Sequence, residues 1–177
     1  MKFSIFLFFV LIYQPVISQI KYNTTSKYYT TTKKSVEVLT NVNCDSLTIK
    51  LFEEINLYRT QNGLNQLVLS QDAINYSKSH VDFLTTTKSY NHSEISKSNF
   101  VLENLNMLSV KDTVLNFDKK WVESTPTMML NSWKKSRDHN SNLLNKNITR
   151  VGISFSSVVY TEDNFYVYEM KVVMVAN

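Results

Sequence analysis

The sequence of 177 residues predicts a fold of the α+β class, with helices first and an antiparallel pair of strands last. Between about residue 45 and residue 144 the apolar residues recur at the spacing of amphipathic helices. After residue 150 apolar and polar residues alternate, which is the spacing of strands. The two patterns follow one another without an internal repeat, so one α+β domain is expected.

Two helices are predicted in the first part of this domain. Apolar residues keep helix spacing from Asp45 to Gly63, and a glycine suits the left-handed residue that ends a helix. Ser70 can cap the second helix. His80 lies on that helix, where a single histidine is usually a packing or surface residue. The predicted buried stripe of the second helix is Ala73, Ile74, Ser77, Val81 and Leu84.

Two further helices are predicted in the middle of the chain. The earlier one is expected to end before Pro126, because proline has no N–H group to donate within a helix. The later one spans Thr127 to Leu144 and is expected to break near Ser136. The apolar face of the earlier helix consists of Val114, Leu115, Phe117, Trp121 and Val122.

Two strands are predicted at the end of the chain. Val151, Ile153 and Phe155 alternate with small residues, and a second alternation runs from Tyr166 to Met174. The polar run Thr161–Asn164 can turn the chain between them. An antiparallel hairpin is therefore expected.

The N-terminal part of the chain is predicted to lie outside the folded domain. Residues 1–19 read as a secretory signal, because Lys2 precedes an apolar run from Phe3 to Tyr13 that is too short to cross a bilayer. An uncleaved membrane anchor is the alternative. Residues 20–44 form a linker rich in Thr, Lys and Tyr, and residues 45–177 form the domain. No later transmembrane segment is predicted, so the expected location is secreted, periplasmic or in the cell envelope.

Charge and cysteine content narrow the class of protein. The formal net charge of +4 is small and the lysines are scattered, which argues against nucleic acid as a partner. Cys44 is the single cysteine, so the domain has no internal disulfide and depends on its buried core. Cys44 is interpreted as a spectator or as a dimer-forming residue, because a catalytic thiol is poorly supported at this position.

Three polar positions between apolar segments are the strongest candidates for chemistry. His92 follows an asparagine in an irregular segment, and loops on a rigid scaffold often carry binding residues. Glu103 lies between apolar neighbours, and a buried carboxylate needs a hydrogen-bond donor, a cation or a metal as its partner. His92 and His139 are the candidate partners, because imidazole and carboxylate together can bind a metal or exchange protons.

The segment around His139 allows two interpretations. Trp133, Ser136 and His139 are spaced by three residues and therefore share one side of a helix, so the tryptophan can anchor in the core while the histidine emerges at the end. Alternatively, His139 only caps or solvates the helix terminus. Spacing alone favours this second, purely structural interpretation.

Several motifs, taken in order, resemble the CAP superfamily of cysteine-rich secretory proteins, antigen 5 and pathogenesis-related proteins, also called SCP domains. The segment "LFEEINLYRTQNGLNQLVLSQDAINYSKSHVDFL" is similar to the family's opening, and Glu103-Asn104 is similar to its Glu-Asn motif. "SWKKSRDHNSNLL" resembles the Trp-x-x-Ser-x-x-His-x-x-Asn run of the disulfide-free bacterial branch, and "RVGISF" the strand after it. The resemblance covers about Leu47 to Val175.

The resemblance implies an α-β-α sandwich with a central antiparallel sheet and an open cleft. In that family two histidines and two acids can hold a divalent cation such as zinc, and here the carried-over ligands are His92, Glu103 and His139. Ser136 stands where eukaryotic relatives have the second acid, which implies weak or absent metal binding. Glu94 and Glu123 are conceivable substitutes. The predicted cleft residues are His92, Glu103, Asn104, Ser136 and His139.

Three functions remain open at this point. The favoured one is a secreted binding module whose cleft holds an extracellular peptide, lipid or cell-surface ligand. The alternative is a metal-assisted or histidine-dependent hydrolase of the peptidase or esterase type, with Ser93 and Ser136 as candidate nucleophiles outside any recognised nucleophile motif. A purely structural role is the third. The sequence does not decide whether the protein is an enzyme, because one fold hosts many functions.

Overall fold

The computed structural model describes residues 42–113 and 119–177, together with the backbone of two short paired strands, β1 (Tyr29–Thr31) and β2 (Lys34–Val36). The predicted signal at 1–19, most of the predicted linker and residues 114–118 of the predicted third helix lie outside the described residues. Among the helices that are described, none is long and apolar enough to cross a membrane.

Helices and strands alternate in the first half of the domain, and a long hairpin ends it. The helices are α1 (Cys44–Gln61), α2 (Gln71–Thr87), α3 (Lys119–Lys135) and α4 (Arg137–Leu143). The remaining strands are β3 (Val68–Leu69), β4 (Leu102–Asp112), β5 (Arg150–Glu162) and β6 (Phe165–Ala176). A short 3-10 helix lies at Ile95–Lys97. The predicted α+β class is confirmed.

The main sheet has the strand order β3-β5-β6-β4, so β4 is an edge strand. The pairs β5–β6 and β4–β6 are antiparallel, and the short β3 lies parallel to β5. Asp163 and Asn164 turn the predicted hairpin with φ values of 47° and 67°, a left-handed conformation that Asn and Asp tolerate better than most residues.

Helices cover both faces of this sheet, which makes the α-β-α sandwich. On one face α1, α3 and α4 bury a large cluster that includes Leu51, Ile55, Met129 and Trp133 against β5 and β6. On the other face α2 packs against β5 and β6. Its cluster consists of Ala73, Val81, Leu84, Leu105, Val173 and Val175.

Gly152 allows α2 to lie directly on strand β5. A Cβ atom at this position would collide with main-chain atoms of Ala73 and Ile74 on the helix. Because the obstruction is backbone, no change of side-chain rotamer could relieve it. This contact fixes the height of α2 above the sheet.

The predicted end of the third helix, before Pro126, is wrong. Pro126 lies inside α3, which continues unbroken to Lys135. A proline in a helix interior costs about 3 kcal/mol. We attribute the tolerance to the fully buried face that follows the proline, where Met129 and Trp133 have no exposed surface. The predicted break near Ser136 is confirmed, because Ser136 separates α3 from α4.

Strand β4 has no counterpart among the elements that periodicity predicts. Its first residues Leu102–Asn106 are all buried although three of them are polar. Glu103 and Asn104 have partners in a loop and in helix α4, and polar residues at buried positions hide the alternation by which an amphipathic strand is recognised. This strand carries Glu103 and therefore positions the site.

Candidate functional site

A buried arginine joins the end of α1 to the end of α4. The guanidinium of Arg59 is 1% exposed and donates from Nη1 to the main-chain oxygens of Leu143 at 2.7 Å and Asn145 at 3.0 Å. Its Nε donates to the oxygen of Asn65 at 3.0 Å. Asn56, one helical turn earlier, binds both the N–H and the oxygen of Leu67. The Asn-x-x-Arg motif is thus a structural clamp.

Asn104 joins β4 to α4 and has no exposed surface. Its Nδ2 donates to the main-chain oxygen of His139 at 3.0 Å, and its Oδ1 accepts from Nδ2 of Asn142 at 2.8 Å. Asn142 also donates to the main-chain oxygen of Glu103 at 3.3 Å. Because Asn104 has no exposed surface and both polar atoms of its side chain have partners, it positions the helix that bears His139.

Glu103 is a buried carboxylate, with its side chain 2% exposed, that accepts hydrogen bonds on both oxygens. Oε1 lies 2.7 Å from Nδ1 of His92 and 3.0 Å from the main-chain nitrogen of Ser93. Oε2 accepts from the hydroxyl of Ser93. Since an ionised carboxylate can only accept, His92 carries a proton on Nδ1. In neutral His92 this leaves Nε2 as an acceptor, and its side chain is 60% exposed.

His80 is a second histidine near Glu103, and the sequence did not predict it there. Its Nε2 lies 3.1 Å from the main-chain oxygen of Asn91 and 3.8 Å from Oε2 of Glu103. Its side chain is 9% exposed and stacks on Phe83. The available signal was its spacing of three residues after Ser77, which puts it on the border of the predicted buried stripe. Two of the three histidines of the chain, His80 and His92, therefore lie near the carboxylate of Glu103.

His139 lies opposite His92, on the first turns of α4. The ring centroids of His92 and His139 are 6.4 Å apart, and the ring of Trp133 lies 6.5 Å from that of His139. Partial burial lowers the pKa of His139, and the nearby His92 lowers it further. His139 is therefore predominantly neutral at neutral pH and can both donate and accept a hydrogen bond.

Ser136 begins α4 without using its hydroxyl as a cap. It is half-buried, and the position of the expected second acid is therefore occupied by a neutral residue. Of the two conceivable substitutes, Glu94 is exposed and pairs with Lys97. Glu123 lies on α3, where its main-chain oxygen accepts from Lys50.

The donor set does not fit zinc as the side chains stand. In the part of the chain that the structure describes, no three or more His, Cys, Asp or Glu residues form a group that could hold a metal ion. With Zn–N bonds of about 2.1 Å, two imidazoles on one tetrahedral ion have centroids roughly 5 Å apart. The rings of His92 and His139 are farther apart than this, and both oxygens of Glu103 are occupied. Zinc binding stays a prediction.

A separate open depression of about 640 Å³ lies beside the N-terminal half of α2. Its lining includes Tyr76, Phe100 and Arg150, but none of the five predicted cleft residues. The predicted cleft residues lie elsewhere, around strand β4, where Glu103 contacts His92 and Asn104 contacts α4, and their role in a cleft stays a prediction.

The pattern of buried Asn-x-x-Arg, Glu-Asn and Trp-x-x-Ser-x-x-His agrees with a family match. Residues 52–170 match the model of the cysteine-rich secretory protein family, CAP. The chain belongs to the CAP family. No curated protein matches the chain.

Solved structures with similarity to this CAP domain have low sequence identity. An outer surface protein of Borrelia burgdorferi is 18% identical, with a TM-score of 0.49 over 75% of this chain and 92% of that one. An extracellular SCP-domain protein of Bacillus anthracis is 18% identical, with a TM-score of 0.46 over 72% of this chain. A cysteine-rich secretory protein of Staphylococcus aureus is 16% identical, with a TM-score of 0.47 over 76% of this chain. The match spans only 40% of each of the latter two proteins.

Proposed function

We propose that this CAP-domain protein is an extracellular binding module that holds its ligand between His92 and His139 at the outer edge of β4. The hydrogen bond of 2.7 Å between Glu103 and His92 carries the proposal. It fixes the imidazole from behind and leaves Nε2 as an acceptor on the exposed side. Burial of the Glu103 carboxylate costs free energy, and such a cost is more readily understood at a functional site than at a purely structural position.

The two imidazoles favour a ligand that offers hydrogen-bond donors. Nε2 of His92 is an acceptor when its ring is neutral, and the lowered pKa of His139 keeps that ring neutral as well. Peptide amides and the hydroxyl groups of lipid headgroups or surface glycans are donors of this kind. A ligand from the extracellular peptide, lipid or cell-surface classes therefore suits the site.

The test is recovery of a ligand with the mature protein. Wild type, His92→Ala and His139→Ala are purified from culture medium, and bound molecules are released and identified by mass spectrometry. Tyr58→Phe, which loses a different hydrogen bond near α4, is the matched control. We expect a molecule that is retained by wild type and by the control but lost from both alanine variants. Equal retention by all four proteins would contradict the proposal.

A histidine-dependent hydrolase is the second candidate, and the same Glu103–His92 pair favours it. A carboxylate on Nδ1 makes Nε2 a suitable general base for water. The candidate nucleophile Ser93 is less suited, because its hydroxyl donates to Glu103 and accepts from Tyr76. Turnover of ester and peptide substrates that is abolished by His92→Ala and kept by Ser93→Ala would support this candidate, and unchanged turnover in both would exclude it.

Secretion is the cellular part of the proposal. The apolar run near the start of the chain and the extracellular character of the CAP family support it. N-terminal sequencing of protein recovered from the medium is expected to begin at Ile20. A product that retains Met1 would favour the membrane anchor instead.

A further inference from the structure

Helix α2 holds the segment 91–93 at two points that flank His92. The hydroxyl of Tyr76 donates to Oγ of Ser93 at 3.2 Å, and Nε2 of His80 lies 3.1 Å from the main-chain oxygen of Asn91. Tyr76 and His80 are four residues apart and therefore project from the same face of the helix. One rigid element thus grips the residue before His92 and the residue after it.

Such a grip matters because His92 lies in an irregular segment whose other anchor is Glu103. The segment from residue 88 to residue 94 has no regular secondary structure, and the His92 side chain is 60% exposed. Its partner Glu103 is rigid, since it lies on β4 and its side chain is 2% exposed. A rotation of the 91–93 segment would break all three hydrogen bonds to that carboxylate together.

We propose that Tyr76 and His80 are positioning residues, which keep Nδ1 of His92 on Glu103 and its Nε2 toward the ligand. The inference rests on the proposed function only in that the cleft uses His92. Preorganised side chains lose less conformational entropy when a ligand binds, so a fixed imidazole gives a tighter site than a mobile one.

His80 and His92 carry opposite tautomers in this arrangement. The main-chain oxygen of Asn91 can only accept, so His80 carries its proton on Nε2. His92 carries its proton on Nδ1, because it faces Glu103. The contact of Tyr76 and His80 with the 91–93 segment therefore has a spectroscopic signature that a role in packing alone would not produce.

The experiment measures imidazole ¹⁵N shifts and backbone amide exchange in the unliganded protein, with three variants. Tyr76→Phe and His80→Phe keep an aromatic ring and remove one hydrogen-bond donor each, whereas His80→Gln keeps an N–H that can reach Asn91. In wild type we expect the Nε2–H tautomer for His80 and the Nδ1–H tautomer for His92. In each phenylalanine variant the Ser93 amide is expected to exchange about fivefold faster, since one neutral hydrogen bond is lost.

Further outcomes make the proposal decisive. His80→Gln is expected to restore the slow exchange of Ser93, and Tyr58→Phe, which removes a tyrosine hydrogen bond elsewhere, is expected to leave it unchanged. Wild-type exchange and an Nδ1–H tautomer of His92 in both phenylalanine variants would overturn the proposal. If His80→Phe does not fold, Tyr76→Phe and His80→Gln decide the matter by the same readouts. Because no ligand is present, a negative result is independent of the proposed binding function.

Discussion

Nη1 of Arg59 donates to the main-chain oxygen of Leu143 at 2.7 Å, across 84 residues of sequence. The arginine belongs to the last turn of α1, and the oxygen belongs to the last turn of α4. One buried cation therefore sets where α4 ends, and with it the position of His139 in the first half of that short helix. The position of His139 thus depends on a buried side chain at the end of α1.

Replacement of Arg59 by lysine is expected to lower the free energy of unfolding by about 2–4 kcal/mol, because an ammonium group cannot reproduce the forked donation to three carbonyl oxygens. Urea unfolding followed by circular dichroism measures the change. Arg137→Lys is the matched control, since its side chain is 94% exposed and its loss is expected to stay within about 0.5 kcal/mol. Equal effects of the two substitutions would refute the structural role of Arg59.

Glu103→Gln is expected to destabilise the protein by about 1–3 kcal/mol, because the new amide group would direct its own donors at Ser93 or His92. The His92 imidazole should at the same time lose its preference for the Nδ1–H tautomer. Urea unfolding and imidazole ¹⁵N shifts measure these effects. The control Glu94→Gln alters an exposed carboxylate and should leave both unchanged. A stable Glu103→Gln protein with wild-type imidazole shifts would contradict the prediction.

Gly152→Ala is expected to cost more than about 3 kcal/mol or to prevent folding, because its Cβ would meet the backbone of α2. Soluble yield and urea unfolding measure the loss. Gly63→Ala, where φ is 73° and the space is open, should cost only about 1–2 kcal/mol. A well-folded Gly152→Ala protein would mean that α2 lies farther from β5.

The stability of the protein is expected to decrease below about pH 6.5 through His139. Burial lowers its pKa in the folded state, so the unfolded chain binds a proton there at a higher pH than the folded chain does. The contribution is complete above the unfolded pKa and is lost as the pH falls toward the folded one. Unfolding free energies from about pH 8 to about pH 5 should fall more steeply in wild type than in His139→Gln. Parallel curves would show that His139 titrates normally.

Zinc is expected to bind weakly, because Ser136 replaces the second acid of the family pattern and the rings of His92 and His139 must move closer. Calorimetric titration of wild type, His92→Ala and His139→Ala measures the affinity. Loss of the weak binding in both variants would support a zinc site in the cleft. No heat in wild type, or equal binding in all three proteins, would remove zinc from this site.

The parts of the fold that were predictable from sequence are those where the hydrophobic pattern is undisturbed. α1, α2 and the β5–β6 hairpin form where their periodicities predict them, because their regularly spaced apolar residues pack into the two core clusters. Motif order resembling CAP domains also brought Glu103 and the two outer histidines into one hypothesis. In the structure Glu103 lies 2.7 Å from His92, and the ring of His92 lies 6.4 Å from that of His139, while their binding role stays a prediction.

The other features of the fold could not be predicted from sequence, because long-range contacts override local structural preference. β4 is a strand whose polar residues Glu103, Asn104 and Asn106 are buried by partners from elsewhere in the chain. Pro126 continues a helix because a buried face outweighs a missing N–H. His80 gained a role only because a segment eleven residues later returns to it. None of these partners is visible in a local pattern.

Asn104 holds its neighbouring helix through a main-chain oxygen and not through the side chain of His139. The contact that anchors α4 therefore does not depend on which side chain residue 139 carries. Evolution or a protein engineer can replace this residue while the fold persists. A library randomised at residue 139 alone should consist largely of folded members. The same scaffold could thus acquire new ligand preferences through single substitutions.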